Sequence, residues 1–278
     1  MNIVPLSWWD VTVAALLLMI NAGLSIRLQL HLEKSLVIAA LRMVVQLSLV
    51  GLLLKTLFAL VSPWLTAAVA LLMILFAGYE AMARQERRLA GWWGYGLGSA
   101  AILLASTAVT VFALTSQVQP QPWYNPQYAI PLLGMILGNC MTGVALGLNL
   151  LFTRAEPDRA SIEAMLALGY SRHEALKPLV RQAIKAGLIP IINAMAATGL
   201  ISLPGMMTGQ ILAGVEPSQA VKYQMLIMFL IAGGTAIGLL VAVHGGALRL
   251  SDERHRLRLD RLMGGDSPLS DKTADESS

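Results

Sequence analysis

Residues 223–247 read YQMLIMFLIAGGTAIGLLVAVHGGA and contain no Asp, Glu, Lys or Arg. The stretch exceeds the ~20 apolar residues that carry an α-helix across the hydrocarbon core of a bilayer. It lacks the shorter, alternating pattern of a β-barrel strand. Backbone groups in lipid must be satisfied within the segment itself, so it reads as a spanning helix. Working outward from it, six more apolar segments appear at roughly 187–212, 128–152, 94–116, 64–83, 36–61 and 10–26. Seven such helices with short connections fill the 278 residues and leave no room for a large soluble domain. Composition agrees: 56% of residues are hydrophobic and 13% charged, against about a quarter charged in an average soluble chain. Mean hydropathy is +0.65. These values exclude a soluble globular enzyme, a disordered chain and a nucleic-acid-binding module.

Charge placement predicts the topology. Seventeen of the 20 Lys and Arg residues fall after segments 1, 3, 5 and 7; Lys222 alone lies on the other side, and Arg42 and Lys55 lie inside segment 2. Basic residues concentrate in cytoplasmic connections, so the N-terminus is expected outside and the C-terminus inside. Trp8, Trp9, Trp64, Trp92, Trp93 and Trp123 all sit at segment ends, where an indole meets the headgroup layer. The opening MNIVPLSWWD has no basic n-region and no cleavage site, so the first span is expected to stay in the mature protein. Residues 1–262 are expected to form one transmembrane domain, with a cytoplasmic loop at 153–186. The alternation of Leu with Arg and Asp over 248–262 predicts a basic amphipathic helix on the inner surface, attractive to membrane lipids. Residues 263–278 read as a disordered cytoplasmic tail.

The largest connection, between segments 5 and 6, reads EPDRASIEAMLALGYSRHEALKPLVRQAIKAG over 156–187. Ser161 is placed to cap a helix through Leu168, Gly169 to stop it, and Ser171 to cap a second short helix from Arg172. Such an elbow must bury Ile162, Met165, Leu166, Leu168 and Leu176, either on the membrane surface or against a partner subunit. No G-x-x-x-x-G-K-[ST] phosphate loop occurs in the chain, so any ATP-driven work requires a second polypeptide. There is no G-x-S-x-G elbow, and His173-Glu174 lacks the second histidine of a zinc pair. The chain is expected to have no enzymatic site of its own.

Glu163-Ala164-Met165 followed by Gly169 resembles the EAA loop of ABC-transporter permeases, with Met165 in place of the third alanine. Together with Arg42-Met43-Val44-Val45-Gln46-Leu47, Tyr79-Glu80-Ala81-Met82 and the long run Asn193–Gly214, it makes nearly the whole chain similar to the FetB-type permease family. That family is associated with ATP-driven iron export, and its plant relatives with aluminium tolerance. The resemblance implies a multi-pass permease of the bacterial inner membrane. It also implies a homodimer of permeases bound to a separate ATP-binding subunit that carries ATP and Mg, with no cofactor on this chain. It assigns the coupling role to Glu163, Ala164, Met165, Gly169, Tyr170, Ser171 and Arg172. An ATPase-independent transporter or channel is the alternative, and would call for acidic relays and inverted repeats.

Polar groups inside the spans are few, and each costs free energy there. The candidates for a translocation pathway are Arg42, Gln46 and Glu80; Asn139, Cys140 and Met141 in segment 5; and Asn193, Met206, Met207 and Gln210 in segment 6. Sulfur suits soft metals and oxygen harder ones, but the residues alone do not identify a metal site. Gly134 and Gly138, and Gly205 and Gly209, have the four-residue spacing of close helix contacts. Pro204 and Gly205 are expected to kink or break segment 6.

Overall fold

A computed structural model describes residues 7–252 and 254–264. Nine α-helices occur among them: α1 (Trp8–Arg27), α2 (Glu33–Leu60), α3 (Pro63–Ala83), α4 (Trp92–Phe112), α5 (Pro126–Arg154), α6 (Arg159–Ala167), α7 (Arg172–Ala197), α8 (Gly205–Leu212) and α9 (Pro217–Arg249). Strands β1 (Arg87–Leu89) and β2 (Leu262–Gly264) pair antiparallel. Six helices, α1 to α5 and α9, are long and apolar enough to cross a membrane. The protein is an all-α, multi-pass membrane protein.

Local chemistry sets the helix starts. Pro63, Pro126 and Pro217 occupy first positions, where a missing N–H costs nothing and φ is preset. Asn125 caps α5 by accepting from the Gln127 amide at 3.0 Å. Ser171 and Glu174 form a capping box at the start of α7, and hydrogen bonds from Ser171 hold the Glu174 carboxyl below its usual range.

Helix α5 is central, packing against α3, α4, α7 and α9. Its closest approach is a seam of small residues. A Cβ on Gly143 would lie 3.0 Å from the Gly187 carbonyl oxygen, and one on Gly187 would lie 2.6 Å from that of Gly143. Gly234 and Gly238 of α9 fit against Ile136 and Cys140. With little hydrophobic drive between helices in lipid, such backbone approach supplies van der Waals packing. Of the four glycines expected to pack, Gly134 alone has a near neighbour, the Met73 methyl; Gly138, Gly205 and Gly209 face open space. Helices α1 and α2 pack mainly on each other, leaving their apolar surfaces exposed.

Two expectations change. Segment 187–212 is not one span. Helix α7 carries the second arm of the elbow directly into it and stops at Ala197, and α8 resumes at Gly205. Thr198 is extended, Gly199 turns back at φ +97°, and Pro204 caps α8; proline has no N–H with which to continue the ladder. The inner-surface helix over 248–262 does not form. Helix α9 ends at Arg249, and Asp252 accepts the amides of Arg254 (3.0 Å) and Arg256 (2.9 Å). A short side chain that bonds its own backbone offers a turn in place of a helix. The chain then returns through Leu259–Arg261 into β2, whose register pairs Arg88 with Met263. Residues 265–278, most of the expected tail, lie outside the described residues.

The hook built by 250–252 and 254–264 is ionic. Arg258 holds Asp260 through bonds of 2.8 and 2.7 Å, which bring the Asp260 carboxyl down to about 2 from 3.8. A depressed carboxyl stabilises the fold above its unfolded value and loses that contribution only as pH falls toward 2. Amide exchange of Leu257–Gly264 is therefore expected to be unaffected by these carboxylates across about pH 5–8, with opening of the hook only in strong acid.

Candidate functional site

The broken helix leaves a cavity of about 360 Å³ between α5, α7, α8 and α9. Met135 and Asn139 face it from α5, Thr198 and Ser202 from the break, Met206 from α8 and Gln224 from α9. The Asn139 amide nitrogen donates to the Met135 carbonyl at 2.9 Å, leaving its oxygen uncommitted by that bond. Gln224 is 6% exposed, and its side-chain oxygen has no hydrogen-bond partner among the described residues. A buried amide oxygen without a donor costs about 1–3 kcal/mol, an expense that packing alone does not explain. A second cavity of about 300 Å³ adjoins it and shares Met135, Met206 and Ile227. It holds Gln210, whose buried side-chain oxygen also lacks a partner. The two chambers therefore line up amide and hydroxyl oxygens with thioether sulfur beside unwound backbone, which is tolerated at membrane depth only where protein or a cavity surrounds it.

Asn139, Met206 and Gln210 thus come together as expected candidates, joined by Pro204 and Gly205 at the first cavity. Gln224, Thr198 and Ser202 were absent from the expected pathway set. The signal for Gln224 was its being the lone amide in the uncharged run 223–247. The remaining candidates lie elsewhere. Cys140 is fully buried against Gly238, Met141 packs on the core, and Asn193 is exposed on α7. Met207 lines neither cavity. Gln46 is exposed on α2. Arg42 and Glu80 form an ion pair between α2 and α3, with Arg84 at 3.9 Å from the same carboxylate. Among the described residues no three His, Cys, Asp or Glu side chains gather into a metal-holding group. Glu80 therefore ties α2 to the bundle. Glu80→Gln is expected to lower thermal stability in detergent while leaving solute selectivity unchanged, as measured against a panel of cations.

The elbow forms at the opposite end of α7. Ile162, Ala175, Leu176 and Leu179 are buried against the bundle, with Met165 and Leu166 packed beside them. Arg159 pairs with Glu163 at 2.8 Å. Gly169 takes φ +91° in open space, a left-handed conformation that side chains with a Cβ rarely adopt. The tip projects Leu168 and Tyr170, 77% and 49% exposed, beyond the chain's own packing. Ala164 and Glu163 are exposed beside them, and Ser171 and Arg172 start α7. The apolar face of the elbow is thus satisfied internally, and what remains free is the tip.

Comparisons with known proteins fit this architecture. The family described as "Uncharacterised protein family (UPF0014)" matches residues 8–250. A UPF0014 membrane protein of Synechocystis is 42% identical over 73% of this chain and 77% of its own length. "Probable iron export permease protein FetB" of Escherichia coli is 30% identical over 91% of this chain and 95% of its own. "Protein ALUMINUM SENSITIVE 3" of Arabidopsis thaliana is 31% identical over 83% and 82%. No solved structure matches the chain.

Proposed function

Since the chain belongs to the UPF0014 family, which includes a protein named as a probable iron export permease, we propose that it is the membrane permease of an ATP-driven exporter of iron or a related metal ion. The permease is a homodimer in the bacterial inner membrane, N-terminus out and C-terminus in. It binds no ATP itself and works with a separate ATP-binding subunit that carries ATP and Mg. The observation that carries this reading is the projecting tip Leu168–Tyr170 at the start of α7, the helix whose other end breaks beside the cavity. One continuous helix, with Pro178 and Pro190 inside it, thus runs from a surface open to a partner to the oxygen- and sulfur-lined chamber. ATP binding by the partner closes its two copies on the tip, and α7 transmits the displacement to the break at 198–204. The solute passes the carbonyl, amide and thioether groups of the two cavities, a mixed donor set compatible with a borderline metal ion.

The test is reconstitution of the permease with its ATP-binding subunit in proteoliposomes, following metal flux and ATP hydrolysis over a panel of metal ions. Metal-stimulated hydrolysis with ATP-dependent flux is expected. Flux through the permease alone, indifferent to ATP, would overturn the reading. Within that assay Gln224→Leu is expected to reduce flux about tenfold or more through loss of an oxygen ligand. It should leave thermal stability equal or higher, because an unpartnered buried oxygen is replaced by an apolar group.

A further inference from the structure

At the basic end of the bundle a third cavity, about 610 Å³, opens between the start of α4, the end of α9, the first residue of α7 and the described residues of the hook that follows α9. Arg172, Arg249, Arg254, Arg256 and Arg261 line it, against Asp252 as the only acid among its described lining residues. Its wall is apolar and aromatic: Trp93, Leu97 and Leu248. Most of the guanidiniums are held in place. Arg249 lies over the Trp93 ring at 3.3 Å from its centroid, Arg261 donates to the Arg249 carbonyl at 2.9 Å, and Arg256 pairs with Asp252 at 3.1 Å. Those of Arg172 and Arg254 have no carboxylate partner among the described residues. The backbone at both positions is nonetheless anchored, Arg172 N–H to His255 Nδ1 at 3.1 Å and Arg254 N–H to Asp252 at 3.0 Å. Among the described residues, five cations gather around one carboxylate, and they repel one another unless an anion joins them.

We propose that this pocket is a binding site for the phosphate of an anionic phospholipid, clamped by Arg172 and Arg254 with its glycerol and acyl portion against Trp93 and Leu248. Guanidinium groups bind phosphate oxygens through a bidentate fork, and basic pockets between helices at a membrane surface favour anionic headgroups. Two features favour a lipid over a free phosphate. Trp92 and Trp93 mark the headgroup depth, and Leu248, 46% exposed, continues the pocket wall onto the outer surface of α9. The bound phosphate joins the hook after α9 to the first turn of α7, three residues from Gly169. The lipid thereby stiffens the base of the elbow. The site does not depend on which solute the protein moves.

The test is lipid retention by the full chain in detergent, followed by native mass spectrometry, with phosphatidylglycerol, phosphatidylcholine and inorganic phosphate as separate probes. Phosphatidylglycerol is expected to remain bound and phosphatidylcholine to wash away. The double variant R172Q/R254Q is expected to lose about 30-fold in affinity, from two cation–phosphate contacts. Its thermal stability without lipid should be unchanged, because neither guanidinium pairs with an acid among the described residues. As a control for general surface charge, R181Q/K185Q is expected to bind like the parent. Equal retention of both lipids, or equal losses in the two double variants, would overturn the proposal. So would inorganic phosphate that binds as tightly as the lipid, which would make the pocket a site for a soluble anion.

Discussion

Replacing Gly187 with leucine is expected to abolish accumulation of folded protein, the largest effect of any single substitution outside the site. A Cβ at Gly187 meets the Gly143 carbonyl oxygen at 2.6 Å and both Leu239 methyls at 2.6 and 2.7 Å. The carbonyl is backbone and belongs to α5, which cannot retreat without leaving α4 and α9 as well. Alanine alone imposes an overpacking cost of about 1–3 kcal/mol, and leucine adds side-chain atoms where none fit. Gly187→Ala is therefore expected to lower the unfolding temperature in detergent, and Gly187→Leu to leave only aggregated material on size exclusion. Gly138→Ala is the matched comparison, because nothing lies within 4 Å of the Cβ it would add. If Gly187→Leu gives a monodisperse, thermally stable protein, the α5–α7 seam does not hold the bundle together.

Gly169→Val is expected to have the second-largest effect, and on coupling rather than on folding. The position has φ +91° with open space around it, so the penalty is backbone strain and not collision. Forcing a side chain with a Cβ into the left-handed region costs about 1–2 kcal/mol, and a β-branched residue resists most. That strain shifts the elbow away from its observed shape by roughly 5–30-fold in population. In the reconstituted complex the expected result is metal flux reduced to a similar extent, with ATP hydrolysis no longer responding to metal. The helix bundle should remain intact, because Ser171 and Glu174 still cap α7. Gly169→Asn should restore part of the coupling, since asparagine tolerates positive φ. If Gly169→Val keeps normal coupling, the tip is not where the partner acts.

The parts of the fold visible in the sequence are those governed by local interactions. Apolar length marks a spanning helix because each residue is solvated by lipid independently of its neighbours. Ser171 marked a helix start because a cap acts within one turn, whereas Ser161, also read as a cap, lies inside α6, which starts at Arg159 after Asp158. The Ser171 cap and the Gly169 stop were legible on these grounds, and so was the interruption near Pro204. The extent of that interruption was not. Seven residues from Thr198 to Pro204 leave the helix, and six long apolar helices remain where seven segments were read. The 248–262 helix was misread because alternation of Leu with Arg and Asp fits an amphipathic helix as long as only the segment is considered. Leu250, Leu257, Leu259 and Leu262 instead face the bundle, buried or partly buried, and Leu262 pairs with Leu89 of β1, a contact between residues far apart in the chain.

The candidate site was half legible. Asn139, Met206 and Gln210 stood out as polar or soft groups in apolar surroundings. Gln224 did not, although it lies in the run that defines the last span. Its neighbours along the helix make it one amide near a helix end, a place where snorkelling is ordinary. It becomes a site residue because α9 turns it toward α5 and the broken loop. By itself the sequence determined the membrane class, the basic end and the elbow, since hydration and charge act residue by residue. The tertiary structure alone decided which oxygens share a cavity, where α5 and α7 touch, and which arginines converge beside Trp93, because each depends on how distant helices rotate against one another.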